Sequence, residues 1–364
     1  MAPDFRFRQR RYDKGCCDRS HRNFSGVNFH FIYYKMEKKE ETIELEAGSG
    51  GEKSSELIEK IRNNFSVRGQ WRNTGDDGAV LDLGESGKLV FTTDAFIVDP
   101  IFFPGGDIGK IAMCGTINDL TVMGARPLGI ALSLVIEEGF PESDLMKIMK
   151  SVETMSRKSG VPVVTGDTKV MEKGKIDKIE ITTSGVGLAD KIIENNGAEP
   201  GDLIISSGDL GEHTVALLGV RFNYKTKIKS DSQTLHQEIA AVGKYLKAAK
   251  DPTRGGLAAN IIEMAEKAKV KIILEDKLLP YKKETHAIAE LLGIDVFSFA
   301  SEGRFIAAVS PKNAQKALKI LKKFNKEAKI IGRVGKGKGV YLKTKVGTER
   351  PIESPRGKLV PRIC

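Results

Sequence analysis

Halfway along the chain the succession of strand-like and helix-like segments stops at the turn-rich GAEPGD, Gly197 to Asp202, and starts again with LIISSG. A fold for this sequence must therefore hold two mixed α/β units in tandem rather than one continuous sheet. The 364 residues allow it, at roughly 150 per domain. Before the break, Leu57, Ile58 and Ile61 predict a helix directly after the Gly-rich AGSGG, and VLDL and the β-branched run Leu89 to Val98 predict strands. Residues 107 to 124 and 142 to 159 carry apolar side chains at helical spacing, VPVVTG reads as a short buried strand, and IEITTSGVGLA reads as another. After the break, LIIS, KIILE, FIAAV, IIGRV and VYLK predict strands, while TVALLGVRF, LAANIIEMAEKA and NAQKALKILKKF predict helices. GRVGKGKG, residues 332 to 339, comes nearest to a P-loop, but Gly339 stands where a hydroxyl is needed and a strand follows, so it reads as a hairpin turn.

The ends differ from the middle. Residues 1 to 35 hold eight Lys/Arg against three Asp/Glu and show no periodicity, and MEKKEETIELEAGSGG begins a different composition at Met36. The expectation is a leader over 1–35 that is not native or lacks order, with Met36 as the natural start. Domains are then expected at 36–198 and 199–346, and 347–364, GTERPIESPRGKLVPRIC, as a flexible tail. Half of the net charge of +10 lies in the first 35 residues, and the 7 % of aromatic residues do not interleave with basic runs, which argues against nucleic-acid binding. No apolar stretch approaches a membrane span. The four cysteines, Cys16, Cys17, Cys114 and Cys364, include no C-x-x-C pair, the five histidines are scattered, and the N-terminus lacks an apolar h-region. A cytoplasmic location is expected.

Chemistry is concentrated in four acidic segments of the first half: TGDDGAV with Asp76 and Asp77, FTTDAF with Asp94, TINDLT with Asn118 and Asp119, and VTGDTKV with Asp167. Loop carboxylates are ordinarily just solvated. These stand beside Gly or Thr, which let a backbone approach a ligand closely, and several acids gathered in one fold repel unless a cation joins them. Mg²⁺ suits such a set, because it takes one or two carboxylates together with waters and phosphate oxygens. Phosphates in turn need a cradle, and AGSGGEK (Gly48, Gly50, Gly51, Lys53) and FFPGGDIGK (Gly105, Gly106, Lys110) each precede a helical pattern that would offer free N–H groups. No G-x-G-x-x-G follows a strand, so the nucleotide implied is held by a less common fold.

TTDAFIVDPIFFPGGDIGKIAMCGTINDL, VTGDTKV, DPTRGGLAANIIE, ASEG and the final PRIC together resemble the HypE family, the carbamoyl dehydratases of [NiFe]-hydrogenase maturation, within the PurM-like superfamily of ATP-dependent synthetases. The resemblance runs from about residue 46 to residue 364. It implies a two-domain PurM-like α/β (α+β) fold, a homodimer pairing its N-terminal domains through strands, and ATP with Mg²⁺ in acidic clefts beside that interface. It also implies that Cys364 accepts a carbamoyl group from HypF, that the group is dehydrated to S-cyanide at the expense of ATP, and that a HypC–HypD complex takes the cyanide. The residues are compatible with this: Pro351, Pro355 and Pro361 make an extended arm, and Arg362 beside the thiol favours thiolate.

On this basis Asp77, Asp94, Asp119 and Asp167, with Asp76 as a neighbour, are expected to hold Mg²⁺. Gly48, Gly50, Gly51, Lys53, Gly105, Gly106, Asn118, Thr168, Asp251 and Arg254 are assigned to nucleotide binding. Lys169 would neutralise the transferring phosphoryl group, and Glu302 would take the amide protons unless it forms a salt bridge to Arg304. His213 would orient substrate, although its SGDLGEHT loop departs from the family's GDHG. A selenophosphate synthetase, a thiamine-phosphate kinase or a non-catalytic maturation scaffold are the alternatives; the enzymes among them need no final cysteine.

Overall fold

The computed structural model describes residues 42–364 apart from 68, 356–359 and 361, and Ile43–Cys364 forms one compact unit. The expected leader over 1–35 and Pro361 lie outside the described residues. In chain order the first half contains α1 (Glu52–Arg62), β1 (Trp71–Arg72), β2 (Ala79–Asp82), β3 (Lys88–Phe96), β4 (Phe102–Phe103), β5 (Gly106–Asp107), α2 (Ile108–Val122), β6 (Arg126–Glu137), α3 (Glu142–Ser159), β7 (Val163–Met171) and β8 (Ile179–Ala189). Six of these strands form a sheet in the order β1-β2-β3-β8-β6-β7, antiparallel throughout except that β6 and β7 run parallel through the crossover helix α3. Strict alternation along β8 buries Ile179, Ile181 and Thr183 against α2. That helix is almost wholly buried, and Gly115 lets it approach: a Cβ there would lie 2.8 Å from the Phe96 ring. Asp107 caps it, accepting the Lys110 N–H at 2.9 Å.

The second half contains β9 (Leu203–Ser206), α4 (Glu212–Arg221), α5 (His236–Val242), β10 (Leu246–Lys250), α6 (Gly256–Ala268), β11 (Lys271–Glu275), α7 (Lys283–Leu292), β12 (Ile306–Val309), α8 (Pro311–Leu321), β13 (Lys329–Gly335), β14 (Gly339–Lys343) and β15 (Glu349–Pro351). Its seven-stranded sheet runs β10-β12-β9-β13-β11-β14-β15. One face packs on α6 through Leu257, Ile261 and Met264, the other on α5 and α8 through Ile239, Ala314 and Leu321. The halves are tied by α2: Asn118 donates to the carbonyls of Gln233 (3.0 Å) and Glu302 (3.3 Å), and its own amide oxygen accepts from Leu235 N–H (2.8 Å).

Three expectations are corrected. VPVVTG is a strand, but every residue of β7 is exposed, because it is the outermost strand of its sheet and none of the described residues covers it. The turn in GRVGKGKG joins β13 and β14, which do not pair; both flank β11, one antiparallel and one parallel, so it is not a hairpin. In the expected flexible tail the described residues at both ends are docked: β15 pairs with β14, and Ile363 is buried in the first half's core. Strands β6 and β10 and helices α5 and α7 were not expected. Pro127 and Gly129 interrupt the first, and α7 buries only Thr285 and Ala289, too narrow a stripe to give a periodic signal.

Candidate active site

Strand alternation puts Thr92 and Asp94 on one side of β3, facing α2, where Thr116 and Asp119 lie one turn apart. The two elements cross-link: Thr116 Oγ1 donates to Asp94 and Thr92 Oγ1 donates to Asp119, each at 2.9 Å. Asp77, just before β2, and Asp251, just after β10, close the group from the other sides. One carboxylate oxygen each from Asp77, Asp119 and Asp251 lies within 4.8 Å of the others. Burial, then the charges of Asp94, Asp251 and Asp77, push Asp119 well above the ordinary carboxylate range. Burial and the Asp77 charge push Asp251 up to about 8, and burial also raises Asp94. Lys250 is the buried counter-charge, contacting Asp77 and lying 3.1 Å from Glu263.

These acids floor a cleft of about 750 Å³ whose rim is the N-terminus of α1, with Gly50, Gly51, Ser54 and Ser55, and whose apolar wall includes Ile58 and Ile262. Gly50 is required there. It has φ +85°, and a Cβ would lie 2.9 Å from the backbone of Arg254 and Gly255, so only glycine lets AGSGG seat against DPTRGG. At its inner end a small cavity of about 40 Å³ is lined by Asp94, Asp119, Asp251, Arg254, Glu302 and Cys364. Glu302 is 1 % exposed, its Oε1 has no hydrogen-bond partner, and burial holds its carboxyl well above the usual range. It makes no bridge to Arg304, which faces Glu212 at 3.6 Å.

The thiol arrives on a docked segment. Ile97 N–H and Asp99 N–H donate to the carbonyls of Cys364 and Arg362, both at 3.2 Å, so the end of the chain runs alongside the residues that follow β3. Arg362 is occupied by Asp177 at 2.6 Å, and burial followed by the Glu302 charge raises the Cys364 thiol. The expected thiolate promoted by Arg362 is therefore not the docked form: desolvation outweighs the neighbouring cation.

Several assigned residues are not in the cleft. Lys53 pairs with Glu46 and Glu44 at 2.5 and 3.6 Å, and Gly48 only accepts a long 3.5 Å contact from Arg254. Gly105 and Gly106 pack against Lys229, Ser230 and Ser232. Asn118 and Asp119 are neighbours on a helix rather than in a loop, so they diverge, and Asn118 ties the halves instead of meeting nucleotide. Asp76 lines the cleft edge but is held by Lys267 (2.7 Å) and Asn73 (2.9 Å). Asp167, Thr168 and Lys169 lie on exposed β7, where Asp167 pairs with Lys169 at 3.0 Å, outside the residues that line the cleft. His213 is buried and bonded to Ser230 and Ile363. Lys250, Glu263 and Thr92 were missed; a lysine ending the apolar LKAAK directly before Asp251 was the available signal.

Two open mixed sheets joined by a buried helix, with a carboxylate cluster at their junction, define an AIR synthase-related protein. Residues 75–189 match the family described as AIR synthase related protein, N-terminal domain, and 199–345 its C-terminal domain. The chain is 40 % identical over 333 residues to the carbamoyl dehydratase HypE of Cupriavidus necator, covering 88 % of this chain and 95 % of that one. It also resembles the HypE of a HypE–HypF complex (38 % identity, TM-score 0.77, 82 % and 99 % covered) and HypE solved with ATP (33 %, 0.74, 89 % and 100 %). The chain belongs to the HypE family. Among the described residues no helix is long and apolar enough to cross a membrane.

Proposed function

We propose that the chain dehydrates a carbamoyl group carried on Cys364 to a thiocyanate, using ATP, and so supplies the cyanide ligands of a [NiFe]-hydrogenase iron. The observation that carries this is the placement of Cys364 and Glu302 in one small cavity bordered by the cleft's acids. ATP would lie in the cleft, with its phosphates toward the positive N-terminal end of α1. The donor set fits Mg²⁺: Asp77, Asp119 and Asp251 offer hard oxygens, and a buried Asp77 oxygen has no partner. Those three residues would hold the ion, which would neutralise phosphate charge.

The carbamoyl oxygen attacks the γ-phosphorus, forming an O–P bond as ADP leaves. One N–H proton goes to Glu302, whose unpartnered Oε1 is free to accept it. The C–O bond then breaks, phosphate departs with the electron pair and takes the second N–H proton, and C≡N forms. Arg254, bordering both spaces, offsets negative charge between them. Glu302→Gln should bind ATP and accept the carbamoyl group from a HypF-type carbamoyltransferase, but yield no thiocyanate; thiocyanate at the parent rate would remove Glu302 as the base.

HypF as carbamoyl donor, a HypC–HypD complex as acceptor and a cytoplasmic location complete the reading, with 36–198 and 199–346 as its two domains and 347–364 as the carrier segment. A homodimer through β7 is supported by the fully exposed edge, where Val164 and Val170 are 64 % and 68 % exposed. Such pairing is what would bring Asp167, Thr168 and Lys169 to a cleft, that of the partner copy. Sedimentation should give twice 39.8 kDa, and Val164→Lys with Val170→Lys should give the monomer; an unaltered dimer would place the interface elsewhere.

A further inference from the structure

We propose that His213 is the positioning residue that latches the carrier segment in the site, through one hydrogen bond to the carbonyl of Ile363, the residue before the reacting thiol. The inference rests on the dehydratase reading for its purpose, though not for its geometry. His213 Nε2 lies 2.7 Å from Ile363 O and Nδ1 lies 2.8 Å from Ser230 Oγ. A carbonyl can only accept, so Nε2 carries the proton, Nδ1 is the acceptor, and Ser230 Oγ–H donates to it. The ring is fully buried on the first turn of α4 and stands edge-on to Phe103, with centroids 5.2 Å apart at 85°. Ser230 is itself fixed, its N–H donating to Pro104 O at 2.8 Å. Burial lowers His213 to about 4, so the ring is neutral and the single-proton tautomer holds.

The other grips on this segment differ in kind. Arg362 pairs with Asp177 at the surface, and Arg221 donates to Arg362 O at 3.1 Å from a half-buried site, so both can trade their partner for water. Ile363 carries a buried side chain but receives one side-chain donor among the described residues, His213. If the segment leaves, that donor is left at a buried ring under Phe103 without its acceptor, whereas the amides of Ile97 and Asp99 belong to an exposed and a half-buried residue that water can reach. An unmade buried bond costs more than an exchanged one, which makes His213 the contact that favours the seated state.

The test reads Cys364 exposure directly, with no carbamoyl donor present. Iodoacetamide labelling of the C-terminal peptide is followed by mass spectrometry in the parent, in His213→Phe, which fills the ring volume without a donor, and in His213→Gln, whose amide can donate to the same carbonyl. Labelling should be about tenfold faster in His213→Phe and close to parental in His213→Gln. Unlabelled Cys114 and unchanged Mg·ATP binding report an intact body, and Arg221→Gln, away from the pocket, serves if His213→Phe does not fold, expected to label less than twofold faster. Parental labelling in His213→Phe, equal acceleration in His213→Phe and His213→Gln, or, if His213→Phe does not fold, a tenfold acceleration in Arg221→Gln would overturn the latch. A failure of the dehydratase chemistry would leave all these rates untouched.

Discussion

Cys364→Ala is expected to bind Mg·ATP at the parent's affinity and to acquire neither a carbamoyl nor a cyano group, a complete loss of modification with an intact nucleotide cleft. The separation follows from the architecture. The cleft is built by β3, α1, α2 and the loop after β10, and residue 364 touches only its inner cavity. Cys114→Ser is the internal control: its thiol is fully buried in α2 and pushed by burial to about 12, so it is inert and its loss should cost packing alone. Intact-mass measurement after incubation with a carbamoyl donor and ATP decides the matter. A modified Cys364→Ala protein would mean that another group is the acceptor.

The second large effect concerns stability. Lys250 is 6 % exposed between Asp77 and Glu263, with Asp251 next in sequence. Burial alone would lower its ammonium, yet the two carboxylates overcome that and hold it above its ordinary value. Lys250→Met keeps the volume and removes the charge, leaving the acids uncompensated, so unfolding in urea should show a loss of about 3–5 kcal/mol. Added Mg²⁺ should recover more stability in the variant than in the parent, because the cation then replaces the missing charge. Equal stability without Mg²⁺ would mean the acids are neutral and Lys250 idle.

Much of the architecture was legible because it is written locally. The alternation in IEITTSGVGLA gives β8 at its observed bounds, and the apolar stripe of 107–124 gives α2. Asp94 and Asp119 could be paired with a site because each stands in a strand–helix segment beside threonines that lock it. What failed was long-range. Asp167 looks like its fellow acids in sequence, but only sheet order reveals that β7 is outermost and carries it away from them. Lys250 is a plain lysine until folding sets it against Asp77, 173 residues earlier. The proline-rich end reads as mobile because nothing in its own sequence announces the amides of Ile97 and Asp99, which donate to its carbonyls and receive it.

The seated end has a consequence for how the protein ages. Peroxide attacks cysteine through the thiolate, and the products climb from sulfenic to irreversible sulfinic and sulfonic acids. In its cavity Cys364 is desolvated beside Glu302, so its proton is retained and oxidants meet a thiol rather than a thiolate. The seated geometry thus slows oxidative loss by keeping the sulfur in its less reactive form, and the greater hazard falls in the interval in which it is away being loaded.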